Sequence, residues 1–399
     1  MTDGHVVIIG AGQGGTQAAI SLRQEGHAGP ITLIGEEPGL PYQRPPLSKA
    51  FLKTGEAGKL ALRPGHFFAK KDITLRTGLR VGAIDRAARR VRLDAAEGPD
   101  GGRELGYDHL ILATGTRNLV PPIPGISRAL GLRTLDDARA LRRALDRPRR
   151  VAVIGGGFIG LEFAAVARAL GHEVTVAEAA PRLMARVVSP EMSSAFATLH
   201  RGLGTGLVLG QPVAEVTDGG ILLADGTAIA ADLVVLAAGV RPNTELSEAA
   251  GLPVDNGIRV DARLRTADPA IHALGDCAAF PDPVSGRPVR LESVQAATDH
   301  ARSIARAIAG SGGAEYAAVP WFWSDQADWK LQIAGLARPE DDSLALTDKL
   351  VLRFRADQLV AVETINDART HMAARRLLAP GQAPARDKLA ARDYDLTTF

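Results

Sequence analysis

The feature that most constrains this chain is a device used twice. "HVVIIGAGQGG" at residues 5–15 and "VAVIGGGFIG" at residues 151–160 each run an apolar stretch into a Gly-x-Gly-x-x-Gly turn. Val6 to Ile9 and Val151 to Ile154 fit buried strands of parallel sheets, and a helical pattern follows each turn, through Leu22 and from Leu161 to Leu170. Gly10 and Gly155 permit the tight turn, Gly12 and Gly157 let a pyrophosphate approach the backbone, and Gly15 and Gly160 allow close helix–strand packing. The helix starts offer free amides and a positive dipole end to an anion. One isolated turn of this kind says little, because glycines also punctuate ordinary loops. Here the next strand and its terminal carboxylate recur as well. Ile31 to Ile34 ends at Gly35-Glu36, and "EVTVAE" ends at Glu178, each placing a carboxylate where ribose hydroxyls can be bound. An α/β chain with two Rossmann-like dinucleotide folds is expected.

With 399 residues, two or three domains fit. A net charge of +2 does not point to nucleic acid. No run of ~20 apolar residues argues for a membrane span. A strand beginning at His5 leaves the start unlike a signal peptide, so a cytoplasmic protein without a membrane partner is expected. The single cysteine, Cys277, excludes a disulfide scaffold and multi-cysteine metal or iron–sulfur sites. The nine histidines lack ligand spacing, and no metal is expected. Two dinucleotides in one chain imply electrons passing between them, the natural pair being FAD and NAD(H). Glu178 suits a 2′-hydroxyl and repels a 2′-phosphate. Ala179, Ala180 and Pro181 follow it and Arg182 is the one nearby cation, which favours NADH over NADPH.

Further strings resemble the FAD-dependent pyridine nucleotide–disulfide oxidoreductase superfamily. "LILATGTR" (Leu110 to Arg117) and "LVVLAAGVRPN" (Leu233 to Asn243) look like its two strand exits between flavin and nicotinamide domains. "IHALGDCA" looks like the motif whose aspartate, here Asp276, holds the flavin ribityl chain. The redox cysteine pair of the disulfide reductases is absent. "PYQRPPLSKAFL" (Pro41 to Leu52), "RLESVQAA" (Arg290 to Ala297) and "PWFWSDQ" (Pro320 to Gln326) instead resemble the NADH-dependent ferredoxin reductases of bacterial haem monooxygenase and Rieske dioxygenase systems, the putidaredoxin reductase type. The resemblance covers essentially the whole chain. It implies an FAD domain of residues 1–115 and 242–318, an NAD domain of residues 116–241, and a small α+β C-terminal domain of residues 319–399.

By position, the resemblance places flavin contacts at Gly14, Glu36, Arg44, Lys49, Val81, Arg133, Asp276 and Val294. Thr114, Gly115 and Glu292, within the same strings, join the cofactor set. Nicotinamide contacts fall on Ile159, Glu162, Glu178, Arg186 and Gly239. Gly14 replaces the alanine common there, a change expected not to matter. Lys49 would pair with Glu162 beside the flavin and favour negative charge on the reduced ring. Phe158 either lies over the flavin and swings aside for nicotinamide or packs the helix start. Strand alternation puts Trp321 and Trp323 on one face, as a core or, for Trp323, as a shield at the flavin edge.

From Pro320 the pattern changes. "KLVLRFR" and "LVAVETI" read as two strands joined by a short turn, and "DARTHMAARRLL" as an amphipathic helix. The Arg-rich stretch from Arg128 to Arg150 is a solvated helix and loop, whereas Arg302 and Lys330 are candidates to meet an acidic 2Fe–2S ferredoxin. The implied activity is hydride transfer from NADH to FAD and single-electron transfer to that ferredoxin, which feeds a haem monooxygenase or Rieske oxygenase; a monomer is expected. A rubredoxin reductase and an NADH-sensing flavoprotein like apoptosis-inducing factor are the alternatives. An NADH oxidase or peroxidase would want a catalytic cysteine near the first helix, and none is there.

Overall fold

The computed structural model describes residues 4–94 and 104–399. The chain divides into two compact units, one of Met1–Gln43, Gly58–Arg117 and Arg241–Ala318, the other of Arg44–Ala57, Asn118–Val240 and Val319–Phe399. Each contains one of the two glycine turns.

The first unit is built on a parallel sheet in the order Ile271–Ala273, His109–Leu112, Val6–Ile9, Ile31–Gly35, Ile73–Thr77. Val7 lies opposite Thr32 and Leu110, and Ile8 opposite Leu33 and Ile111. The apolar runs are unbroken because both faces are covered. Val6, Ile8, Leu33 and Ile111 pack with Ala18, Leu22, Ala301 and Ile304 of the helices Gln13–Gln24 and Val294–Ala309. Val7, Ile9, Leu110 and Leu112 pack the other way, on Val81, Val91 and Leu93 of the antiparallel strands Val81–Asp85 and Arg90–Leu93.

The second unit repeats the parallel arrangement in the order Gly206–Leu209, Glu173–Glu178, Arg150–Ile154, Leu233–Leu236, Leu130–Gly131. The helix after its turn runs Phe158–Ala169, starting three residues earlier than the sequence pattern indicates because Gly157 is its cap. The Arg-rich stretch forms the helix Leu135–Ala144, started by a Thr134–Asp137 capping box.

The same unit carries a second sheet, wholly antiparallel, in the order Trp321–Gln326, Trp329–Gly335, Gln358–Ile365, Leu350–Arg355, Asp342–Thr347. The hairpin expected from "KLVLRFR" and "LVAVETI" forms its centre. The helix Ala368–Leu377 covers it through Ala373 and Ala374, which pack on Leu352, Phe354 and Val362.

Candidate functional site

The two turns have the same construction. Gly10 and Gly155 sit at φ of 110° and 111°, a region that side chains rarely enter. A Cβ at Gly10 would come within 2.1 Å of the Ala113 carbonyl oxygen, and one at Gly155 within 2.4 Å of that of Ala237. At Gly15 and Gly160 it would strike the carbonyl oxygens of Gly10 and Gly155, at 1.9 and 2.2 Å. The protein's own backbone therefore demands the outer glycines. Gly12 and Gly157 differ, since a Cβ there meets nothing within 4 Å. Each caps its helix without a side-chain acceptor, leaving the first amides facing open space. A pyrophosphate fits both cradles.

In the first unit, the Glu36 carboxylate at the end of Ile31–Gly35 is exposed and pairs with Arg80 at 3.3 Å. Val81 is buried. Thr114 is locked to Asn243: its hydroxyl donates to the Asn243 carbonyl at 2.7 Å, and the Asn243 amide donates back to the Thr114 carbonyl at 2.8 Å. Gly115 follows at a φ of 64°. Thr116 donates to the Asp276 carboxylate at 3.2 Å. Arg290 donates to the Asp276 carbonyl at 3.1 Å and pairs with Glu292 at 2.8 Å, tying together the two segments that carry these acids. Val294 opens a helix capped by Ser293. Gly14 is buried on that helix; an alanine there would meet Leu274 at 2.4 Å and Ala297 at 3.4 Å. Cys277 is fully buried, and burial pushes its thiol up, so it offers no ready nucleophile.

In the second unit, both Glu178 oxygens are engaged by backbone. Gly156 N–H donates to one at 2.6 Å and Ala180 N–H to the other at 2.7 Å, which fixes the acid at the mouth of the turn. The guanidinium of Arg182 is committed to the carbonyls of Ala185 and Val188. Arg186, on the same loop, is exposed, and a Cβ at Gly239 would lie 3.4 Å from its Nη2. Ile159 is half-buried in the first turn of the helix. Arg44 donates to the Arg133 carbonyl at 2.7 Å, bringing those two predicted contacts together.

The pairing of Lys49 with Glu162 is present, at 2.9 Å. Glu162 is only 5% exposed, yet it is well satisfied. Ser48 donates to its Oε2 at 2.6 Å, and Ser324 and Lys49 both reach its Oε1, the serine at 2.7 Å. Phe158 and Glu162 stand four residues apart on one helix face. They meet Phe322 and Ser324, two apart on one face of the strand Trp321–Gln326. The Phe158 and Phe322 rings are 4.6 Å apart. Strand alternation leaves Trp323 on the opposite face, 5.7 Å from Trp321. The two serines were missed by sequence reasoning. Each lies inside a quoted string, but no spacing rule relates residue 48 to residue 324. Of the candidate docking cations, Arg302 is paired with Asp299 at 3.2 Å and Lys330 is exposed opposite Asp325 on the neighbouring strand.

Among the described residues, no group of three or more His, Cys, Asp or Glu could hold a metal, and no helix is long and apolar enough to cross a membrane. The family model described as "Pyridine nucleotide-disulphide oxidoreductase" matches residues 4–301, and "Reductase C-terminal" matches residues 321–399. Rhodocoxin reductase of Rhodococcus erythropolis is 46% identical, over 98% of this chain and 93% of its own length. The anthranilate 1,2-dioxygenase system ferredoxin--NAD(+) reductase component of Burkholderia cepacia is 43% identical, over 98% of each. The crystal structure of the covalent putidaredoxin reductase–putidaredoxin complex aligns with a TM-score of 0.91 at 36% identity, covering 99% of this chain and 98% of that one.

Proposed function

Because this chain belongs to the pyridine nucleotide-disulphide oxidoreductase family, we infer that it is an NADH-dependent, FAD-containing ferredoxin reductase. Its cofactors are FAD and NAD(H). The observation that carries this reading is the doubled cradle. Two glycine turns each open their middle glycine to empty space, and each second strand leads to a carboxylate, Glu36 just after Gly35 and Glu178 at its own strand's end. FAD, when bound, accepts two electrons as hydride and releases them singly, which suits an iron–sulfur acceptor.

Gly12, Glu36, Thr114, Asp276 and Val294 of the first unit are proposed to hold FAD. Gly157, Glu178, Arg186 and Gly239 of the second are proposed for NADH. Arg44, Lys49 and Arg133 supply further flavin contacts. Lys49, held by Glu162, provides the cation that favours charge on the reduced ring, and Phe158 and Trp323 act as aromatic covers. The partner is a 2Fe–2S ferredoxin with an acidic surface, met by Arg302 and Lys330, and it supplies a haem monooxygenase or a Rieske oxygenase. The reductase works as a monomer in the cytoplasm. A buried, unreactive Cys277 favours this reading over peroxidase or disulfide chemistry.

The test is to mix the yellow protein with NADH and a panel of two-iron ferredoxins and to time cytochrome c reduction. Turnover should require both NADH and a ferredoxin. Equal rates without any ferredoxin would exclude it as the acceptor.

Two substitutions examine the cradles. Glu178→Ala should narrow the NADH-over-NADPH preference by at least about tenfold, since like charges brought together at a binding site cost several kcal/mol. A parent enzyme that uses both nucleotides equally would remove Glu178 from the ribose. Asp276→Ala should weaken FAD binding by about 1.5–3 kcal/mol, the worth of a charge-assisted hydrogen bond. A variant that retains FAD with parental affinity in equilibrium dialysis would contradict that role.

A further inference from the structure

The hydrogen bonds at Glu162 continue away from Lys49 into the protein. Gln326 Nε2 donates to Ser324 Oγ at 3.2 Å, and Gln326 Oε1 lies 2.9 Å from His200 Nε2. Ser324, Gln326 and His200 are each 0% exposed. Burial lowers the His200 pKa from its ordinary value, so the ring is neutral near pH 7. The chain is satisfied when its proton sits on Nε2. Every donor then points the same way, from His200 to Gln326, from Gln326 to Ser324 and from Ser324 to Glu162. A carboxylate only accepts, so it fixes the direction of the whole chain.

We propose that Ser324 and Gln326, anchored by His200, are positioning residues that hold the Glu162 carboxylate where its Oε1 meets Lys49. The proposal rests on the reading that Lys49 and Glu162 serve the nicotinamide and flavin. Three strings far apart in sequence then converge on one carboxylate: Ser48 and Lys49 from "RPPLSK", Glu162 from "GFIGLE" and Ser324 from "WFWSDQ". The last comes from the C-terminal sheet, so that domain helps to shape the nucleotide site. Stability alone is a poor account of the arrangement. A string of buried polar side chains gains little over an apolar core of the same shape. This string also leaves His200 Nδ1 buried without a partner.

Coupling provides the test. In flavin-loaded protein, Ser324→Ala should slow flavin reduction by NADH about tenfold, the worth of one hydrogen bond to a charged group. It should also weaken NAD⁺ binding severalfold by calorimetry. Gln326→Met, close in shape and without a donor, should give smaller changes of the same kind and serves if the alanine variant is not recovered with flavin. In a Glu162→Gln background both effects should shrink to within about twofold, because groups acting through one carboxylate are not additive. Factors that persist undiminished in that background overturn the proposal, as do parental rates and affinities in both single variants. A parent protein that NADH does not reduce would instead overturn the functional reading itself.

Discussion

Lys49→Met is expected to slow flavin reduction by NADH on the order of a hundredfold, the usual cost of removing one preorganised electrostatic group from a site where charge develops. The Lys49 side chain is 20% exposed and tied to a carboxylate that is buried, so water screens it poorly. Its orientation is set by Glu162 and by the Pro45 carbonyl at 3.4 Å. Removing it should also lower the flavin's reduction potential, since the cation proposed to favour the reduced, anionic ring has gone. The two readouts together are diagnostic. Stopped-flow mixing with NADH measures the first, and equilibration with reference dyes measures the second. A Lys49 variant with parental flavin reduction and a defect only towards ferredoxin would move this lysine from the nucleotide site to the docking surface.

The largest stability effect should come from Glu363→Ala. Glu363 is 0% exposed and Arg353 2%. The carboxylate accepts from Ser189 N–H at 2.9 Å, from Ser189 Oγ at 2.7 Å and from Arg353 at 3.1 Å. Burial nevertheless raises the Glu363 carboxyl above its ordinary range, so the pair is kept at a cost. Truncating Glu363 leaves the buried guanidinium with only the carbonyls of Arg338 and Asp341 and no carboxylate, and should cost about 3–5 kcal/mol, read as a fall in the urea midpoint. Replacing both, as Arg353→Met with Glu363→Leu, should recover part of that loss, because neither charge is then desolvated although the buried Ser189 N–H loses its acceptor. Ser189 caps the helix Pro190–Gly202 and ends the loop that carries Arg186. The single variant should therefore weaken NADH binding as well. An unchanged midpoint for Glu363→Ala would mean that the site admits water freely.

The sequence alone determined the parts of this protein that local backbone geometry dictates. A glycine with a φ of 110° against a neighbouring carbonyl cannot be replaced, so Gly10 and Gly155 announce their turns wherever they stand. Unbroken apolar runs such as "VVII" and "VAVI" likewise announce strands covered on both faces. The carboxylates Glu36 and Glu178 stand at the same place in the two strand–turn–helix–strand units, where the second strand ends, although the units differ in length. The pairing of Lys49 with Glu162 came from resemblance rather than from spacing; in the structure the two stand 2.9 Å apart.

Long-range packing decided the rest. The segment Arg44–Ala57 lies between two parts of the first unit in sequence but belongs to the second, and that placement brings Ser48 and Lys49 to Glu162. The string "WFWSDQ" shows its tryptophans plainly. Which of its faces meets the helix depends on the register of a five-stranded sheet, two strands of which, Trp329–Gly335 and Asp342–Thr347, the pattern does not mark. Period-two alternation says that Phe322, Ser324 and Gln326 share a side, but not what lies across from them. A buried hydroxyl earns its role from its partner, and for Ser48 and Ser324 that partner stands more than a hundred residues away in the chain.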